Sequence, residues 1–119
     1  MAVEVWANDG TAVVTSGGTT APPAGTVESW TLSGSTLPAV SSSATPPTQC
    51  YVADGAPGAE PEKILVTNIA GSTATVTRGA DGTTPVAHSA GFTIMQVVTR
   101  ASLQALQGEA AYFLRVFAV

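Results

Sequence analysis

Glu62-Lys63-Ile64-Leu65-Val66-Thr67-Asn68-Ile69, Ala70-Gly71-Ser72 and Thr73-Ala74-Thr75-Val76-Thr77-Arg78 form the stretch whose reading decides the fold. Both flanks are rich in β-branched and apolar residues, and the small residues between them turn the chain, so the pattern predicts an antiparallel hairpin. Downstream, Asp81-Gly82 marks a tight turn, because glycine accepts the positive φ such turns need. Residues 92–98 predict a further strand. Upstream, residues 3–6, 11–15, 26–32 and 49–53 read as extended pieces. Within 26–32 the side chains alternate, with Val27, Ser29 and Thr31 on one face and Glu28, Trp30 and Leu32 on the other. Short strands at roughly 8–12-residue spacing predict a mainly β fold, a small antiparallel barrel or sandwich. Two breaker-rich tracts, residues 16–25 and 41–48, are read as long ordered loops rather than domain boundaries.

At 119 residues the chain is expected to form one domain, with 1–25 an extended N-terminal arm, 26–99 the β core and 100–119 a C-terminal helix or apolar tail for assembly. Charged residues make up 10% of the chain, against roughly 25% in an average domain, so Thr, Ser and Gly must carry most of the polar surface. Four basic and eight acidic residues leave a formal charge of −4 and no basic face for phosphates, which excludes nucleic acid as a partner. The single cysteine, Cys50, excludes an internal disulfide framework and reads as a buried apolar thiol. The first residues lack the basic and apolar regions of a secretory leader, and no apolar run approaches the ~18 residues of a membrane span. The expectation is therefore a soluble protein made in a cytoplasm, with no membrane partner.

The C-terminal segment changes character. Residues 100–107 have high helix propensity, with Thr99 placed to cap them, and Gly108 interrupts the pattern. Beyond it come Tyr112, Phe113, Leu114, Val116 and Phe117, which either complete the chain's own core or pack on a partner.

Few residues suggest chemistry. Asp81, His88 and Ser89 include the residue types of a hydrolytic triad, but no nucleophile-elbow glycines surround the serine, and His88 reads as a hydrogen-bonded structural residue. His88 has no second His or Cys at a metal-ligand spacing. Asp54, Glu60 and Glu62 resemble an acidic cation site, yet lack the ligand intervals of a calcium loop and read as a solvated loop edge. Residues 55–58 precede no helix or lysine that would cradle phosphate. Trp6 and Trp30 are either sugar-stacking platforms or, as two of the largest hydrophobes in a charge-poor chain, core or interface anchors. No catalytic residue, metal or cofactor is expected.

A family resemblance rests on Ile64 to Ala70-Gly71, Val76-Thr77-Arg78-Gly79-Ala80-Asp81-Gly82-Thr83-Thr84-Pro85 and Ala87-His88-Ser89-Ala90-Gly91-Phe92. This succession resembles a module of tailed-bacteriophage virion proteins, in which a strand pair leads into an Arg-Gly-x-x-Gly-Thr turn and a His-x-x-Gly approach to another strand. Pro46-Pro47-Thr48-Gln49-Cys50-Tyr51-Val52-Ala53-Asp54 is similar to the segment that precedes it. The resemblance implies a scaffold, with Arg78, Gly79, Asp81, Gly82, His88 and Gly91 as a structural turn motif. Gly79, Gly82 and Gly91 allow tight turns, Arg78 can fork onto a carboxylate or carbonyls, and His88 can tie down the loop over 83–90. Among the roles such proteins fill, a compact acidic chain with an apolar tail fits a capsid decoration (cement) protein. That role implies a homotrimer on the outer capsid surface of the virion, bridging subunits of the major capsid protein. Trp6, Trp30, Tyr112, Phe113, Leu114, Val116 and Phe117 would be its assembly residues. The alternatives are a minor tail or fibre-base adapter and a carbohydrate-binding module for host attachment through Trp6 or Trp30.

Overall fold

Alternating side chains decide which face of each strand turns inward. In the computed structural model, which describes residues 2–55 and 62–99, they produce seven strands. These are β1 (Val3–Glu4), β2 (Thr11–Ser16), β3 (Val27–Ser33), β4 (Thr48–Asp54), β5 (Lys63–Ala70), β6 (Thr73–Ala80) and β7 (Thr93–Gln96). No helix occurs among the described residues. On β3, Trp30 and Leu32 are buried while Val27, Ser29 and Thr31 are exposed. On β5 and β6 the buried residues are Ile64 and Val66, and Ala74, Val76 and Arg78. Cys50 and Val52 of β4, Ala12 and Val14 of β2, and Ile94 of β7 complete the lining of one continuous core.

The strands run in the order β4-β5-β6-β3-β2-β7. β7 then pairs back onto β4 through Val52↔Gln96, Ala53↔Met95 and Asp54↔Ile94, so the sheet closes into a six-stranded antiparallel barrel. Closure removes the unpaired edges an open sheet of this size would present. β1 is the seventh strand and lies parallel to the start of β4, along the length that β7 does not reach. Gln96 holds it there: Nε2 donates to Val5 O at 2.6 Å, and Oε1 accepts from Ala7 N at 3.0 Å. The expected N-terminal arm over residues 1–25 is therefore corrected. β2 is a stave of the barrel between β3 and β7, and its Ala12 and Val14 are core residues. The expected helix or tail over 100–119 lies outside the described residues.

Turn chemistry follows the sequence. Ala70 pairs with Thr73 across Gly71-Ser72, with positive φ at Gly71 alone, as a type II′ hairpin connection requires. After β6, Asp81 (φ 54°) and Gly82 (φ 75°) are both left-handed, and Thr83 N donates back to Ala80 O at 3.1 Å. Cys50 is fully buried; burial first, and the charge of Glu4 second, push its thiol up to about 12.

Register gives the barrel two unlike ends. At one, β4 and β6 finish beside the beginnings of β3, β5 and β7. The loop after Asp81 folds over this end, and His88 N donates to Gly18 O at 2.9 Å. At the other end lie the β5–β6 turn, the loop over 34–47 and the N-terminal segment.

Gly79 and Gly71 provide a paired test, because their φ values are 63° and 62° but their surroundings differ. A Cβ on Gly79 would stand 2.7 Å from Pro85 Cδ and 2.9 Å from Ala24 Cβ, whereas nothing lies within 4 Å at Gly71. Gly71→Ala should cost only the left-handed backbone penalty of about 1–2 kcal/mol. Gly79→Ala should cost that and a further ~1–3 kcal/mol of overpacking, measured by urea denaturation. Equal losses would show that Pro85 and Ala24 do not confine the turn.

Candidate functional site

The chemistry-bearing residues converge on the barrel end under the 83–91 loop. Arg78 occupies an inward position on β6, two residues on from Val76 and four from Ala74, so its guanidinium is carried inside the sheet. Its side chain is fully buried, as is that of Glu62, which precedes β5. The two form a bidentate fork, Nε to Oε2 at 2.8 Å and Nη2 to Oε1 at 3.0 Å. Nη1 donates to Glu28 Oε1 at 3.1 Å, and Nη2 also donates to Val86 O at 2.6 Å. Glu28 shares the inward face of β3 with Trp30 and accepts from its indole Nε1 at 2.8 Å. The guanidinium carbon lies 5.6 Å from the Trp30 ring centroid, within cation–π range.

Glu62 is the hub. Oε2 accepts from Gly79 N and Oε1 from Val86 N, each at 3.0 Å, in addition to the arginine fork. His88 Nε2 reaches Oε1 at 2.9 Å, and His88 Nδ1 reaches Asp54 Oδ2 at 3.0 Å. The imidazole stacks on Phe92 with centroids 4.5 Å apart and planes at 12°, and Phe92 meets Trp30 edge to face at 5.5 Å. Burial pushes the Glu62 carboxyl up, but the Arg78 fork, the Val86 and Gly79 amides and His88 outweigh it and hold the group below the ordinary carboxylate range. For Arg78, burial favours the neutral form, and bonding and attraction to Glu62 and then Glu28 reverse the balance upward. No buried side-chain polar atom among the described residues lacks a partner.

Several sequence expectations change on this geometry. Glu62 is not at a solvated loop edge: it is 1% exposed, because its charge is neutralised from within. Glu60 lies outside the described residues. Asp81, His88 and Ser89 do not assemble, since both ring nitrogens of His88 face Asp54 and Glu62. Of the turn motif, Arg78 and His88 lie in the network, Gly79 donates to it, and Asp81, Gly82 and Gly91 shape the loops around it with positive φ. Glu28, Asp54 and Glu62 complete the cluster without having been singled out as its partners. One signal for them is present: Glu28 and Arg78 each fall on the apolar face of an alternating strand.

The two tryptophans separate. Trp30 is fully buried in the core, so its assignment to an assembly interface is corrected, whereas Trp6 is 47% exposed. Trp6 lines a cleft of about 220 Å³ with Asp9, Thr11, Met95 and Gln96. A larger cleft of about 620 Å³ lies under the 34–47 loop, walled by Leu37, Pro38, Val40 and Ile69. Both clefts flank the end of the barrel away from the Arg78 cluster. Tyr112, Phe113, Leu114, Val116 and Phe117 lie outside the described residues. No group of three or more His, Cys, Asp or Glu positioned to hold a metal occurs among the described residues. Compared with family models, curated proteins and solved structures, the chain has no match.

Arg78→Met should be costly because it strands Glu62 as a buried charge; a loss of about 3–5 kcal/mol in urea denaturation is expected. Glu62→Gln in the same chain should recover part of that loss, as a neutral amide needs no counter-ion. Additive single losses would show that the two residues are not coupled. The acid side follows from the lowered carboxyl of Glu62. Its stabilisation is complete above the unfolded glutamate value of about 4.3 and is lost as pH falls through the lower folded value. Acid unfolding followed by circular dichroism should therefore be shallower in Glu62→Gln.

Proposed function

We propose that this chain is a non-enzymatic structural protein of a tailed-phage virion, a decoration protein that seats as a trimer on the outer capsid surface and stabilises the shell by bridging capsid subunits. The observation that carries this reading is the commitment of the ionisable cluster to the fold. Glu62 accepts from four N–H donors, Arg78 donates to two carboxylates and a carbonyl, and His88 lies between two carboxylates. A nucleophile or general acid needs a face open to substrate, and these groups face one another. The same residues carry the resemblance to virion modules, which supports reading that motif as a device for holding a small barrel rigid.

Contact with other subunits then falls to the opposite end. Trp6, Met95 and Val98 are exposed there at 47%, 43% and 51%, and Trp6 and Met95 share one cleft. Tryptophan is among the residues that carry most of the binding energy at contact centres, and methionine is enriched there. A closed barrel suits such a role, because its six staves leave no open sheet edge to add strands from neighbours indiscriminately. Trp6 beside Asp9 also gives the carbohydrate-binding reading a specific foothold.

Quantitative mass spectrometry of purified particles against the major capsid protein tests the proposal. A ratio near one to one supports decoration. A few copies per particle assigns the chain to the tail as an adapter, and its absence from particles overturns both. Trp6→Ser should leave the unfolding free energy of the isolated protein within about 0.5 kcal/mol, as expected for a surface change, while reducing retention on capsids in sedimentation. Unchanged retention, together with loss of binding to a glycan array, would favour the carbohydrate reading.

A further inference from the structure

His88 is the only histidine in the chain and its side chain is 2% exposed. Each of its ring nitrogens faces a carboxylate oxygen, Asp54 Oδ2 at 3.0 Å and Glu62 Oε1 at 2.9 Å. A neutral imidazole has one N–H and one lone pair. With both carboxylates ionised, a neutral ring would satisfy one contact and set a lone pair against an oxygen lone pair in the other. In a largely buried site that repulsion is weakly screened. Only the imidazolium donates in both directions.

The ring is held in this position. It is stacked on Phe92, and the backbone N–H of His88 is tied to Gly18 O. Among the described residues, the charged groups facing it are Asp54 from β4, Glu62 ahead of β5 and Arg78 from β6, which shares Glu62 Oε1, with Glu28 of β3 beyond the guanidinium. Two carboxylates, Glu28 and Glu62, thus meet Arg78, and His88 lies between Glu62 and Asp54.

We propose that the folded barrel binds a proton at His88 as a structural ligand, and that this imidazolium, bridging Asp54 and Glu62, latches the 83–91 loop over the barrel end. The latch makes the fold proton-dependent near neutrality. Release of that proton on unfolding would make the unfolding constant rise with pH, so the latch contributes less stability as pH rises. The device goes beyond the decoration reading and does not depend on it.

Long-range proton–nitrogen correlation on the ¹⁵N-labelled full chain at pH 7.5 tests the proposal directly, because one histidine gives one unambiguous set of signals. Two protonated ring nitrogens are expected. One bare, pyridine-type nitrogen overturns the proposal, whether the ring is simply neutral or the shared proton sits on Asp54. Urea denaturation between pH 6 and 8 provides an independent measure, below the range near 8.5 where Cys50 ionises in the unfolded chain. The unfolding constant should rise with pH, by up to tenfold per unit at the limit of one proton, and His88→Gln should abolish the slope. A wild-type slope of zero, or an equal slope in His88→Gln, overturns the latch.

Discussion

An ionised carboxylate enclosed without water must receive donors on both oxygens, and at Glu62 that requirement organises one end of the molecule. The Arg78 fork supplies charge, the Val86 and Gly79 amides supply dipoles, and the second face of Oε1 is turned to His88. An isolated buried ion pair rarely repays its desolvation. Here the pair is one part of a network that reaches four strands or their flanks, so satisfying the charge also fixes where those strands lie. Glu28 brings in β3, Asp54 brings in β4, and Val86 and His88 bring in the long return between β6 and β7.

The aromatic residues are arranged by the same network. Trp30 reaches Glu28 with its indole N–H, offers its face to Arg78 and its neighbourhood to Phe92, which in turn carries the His88 ring. Two adjacent glycines lie against this stack. A Cβ on Gly17 or Gly18 would collide with the Trp30 or Phe92 ring, so backbone alone fills the space. Polar and apolar packing are thus continuous at this end, which closes the mouth of the barrel with side chains and loop rather than with a helix. At the opposite end Val40 of the 34–47 loop is buried against the core, while Trp6 and Val98 are exposed.

The proposed structural role would draw on this division. A protein that must hold its shape while strained by neighbours benefits from a closed sheet and a rigid internal cross-link. It needs few surface charges if its working surface is buried in an assembly. The low charge content and the cluster's inward commitment are consistent with each other: of the four basic residues, one is spent entirely inside.

Local features were legible in the sequence. The β5–β6 hairpin follows from its apolar alternation and Gly71, the turn at Asp81-Gly82 from its glycine, and the burial of Cys50 from its apolar surroundings. Each depends on interactions between residues close in the chain, where periodicity and φ preference carry the information. Glu62 was not legible, because a glutamate beside prolines and another glutamate looks solvated until Arg78, sixteen residues away, folds against it. The roles of Trp6 and Trp30 were likewise indistinguishable by residue type, since exposure is set by which strand face each occupies and what packs on it. By itself the sequence determined most of the strands and turns and the alternation over 26–32. Tertiary structure alone decided that β7 returns to β4 to close a barrel, and that three distant carboxylates meet one arginine and one histidine. Strand closure and charge neutralisation are contacts between distant segments, and neither leaves a local periodic trace.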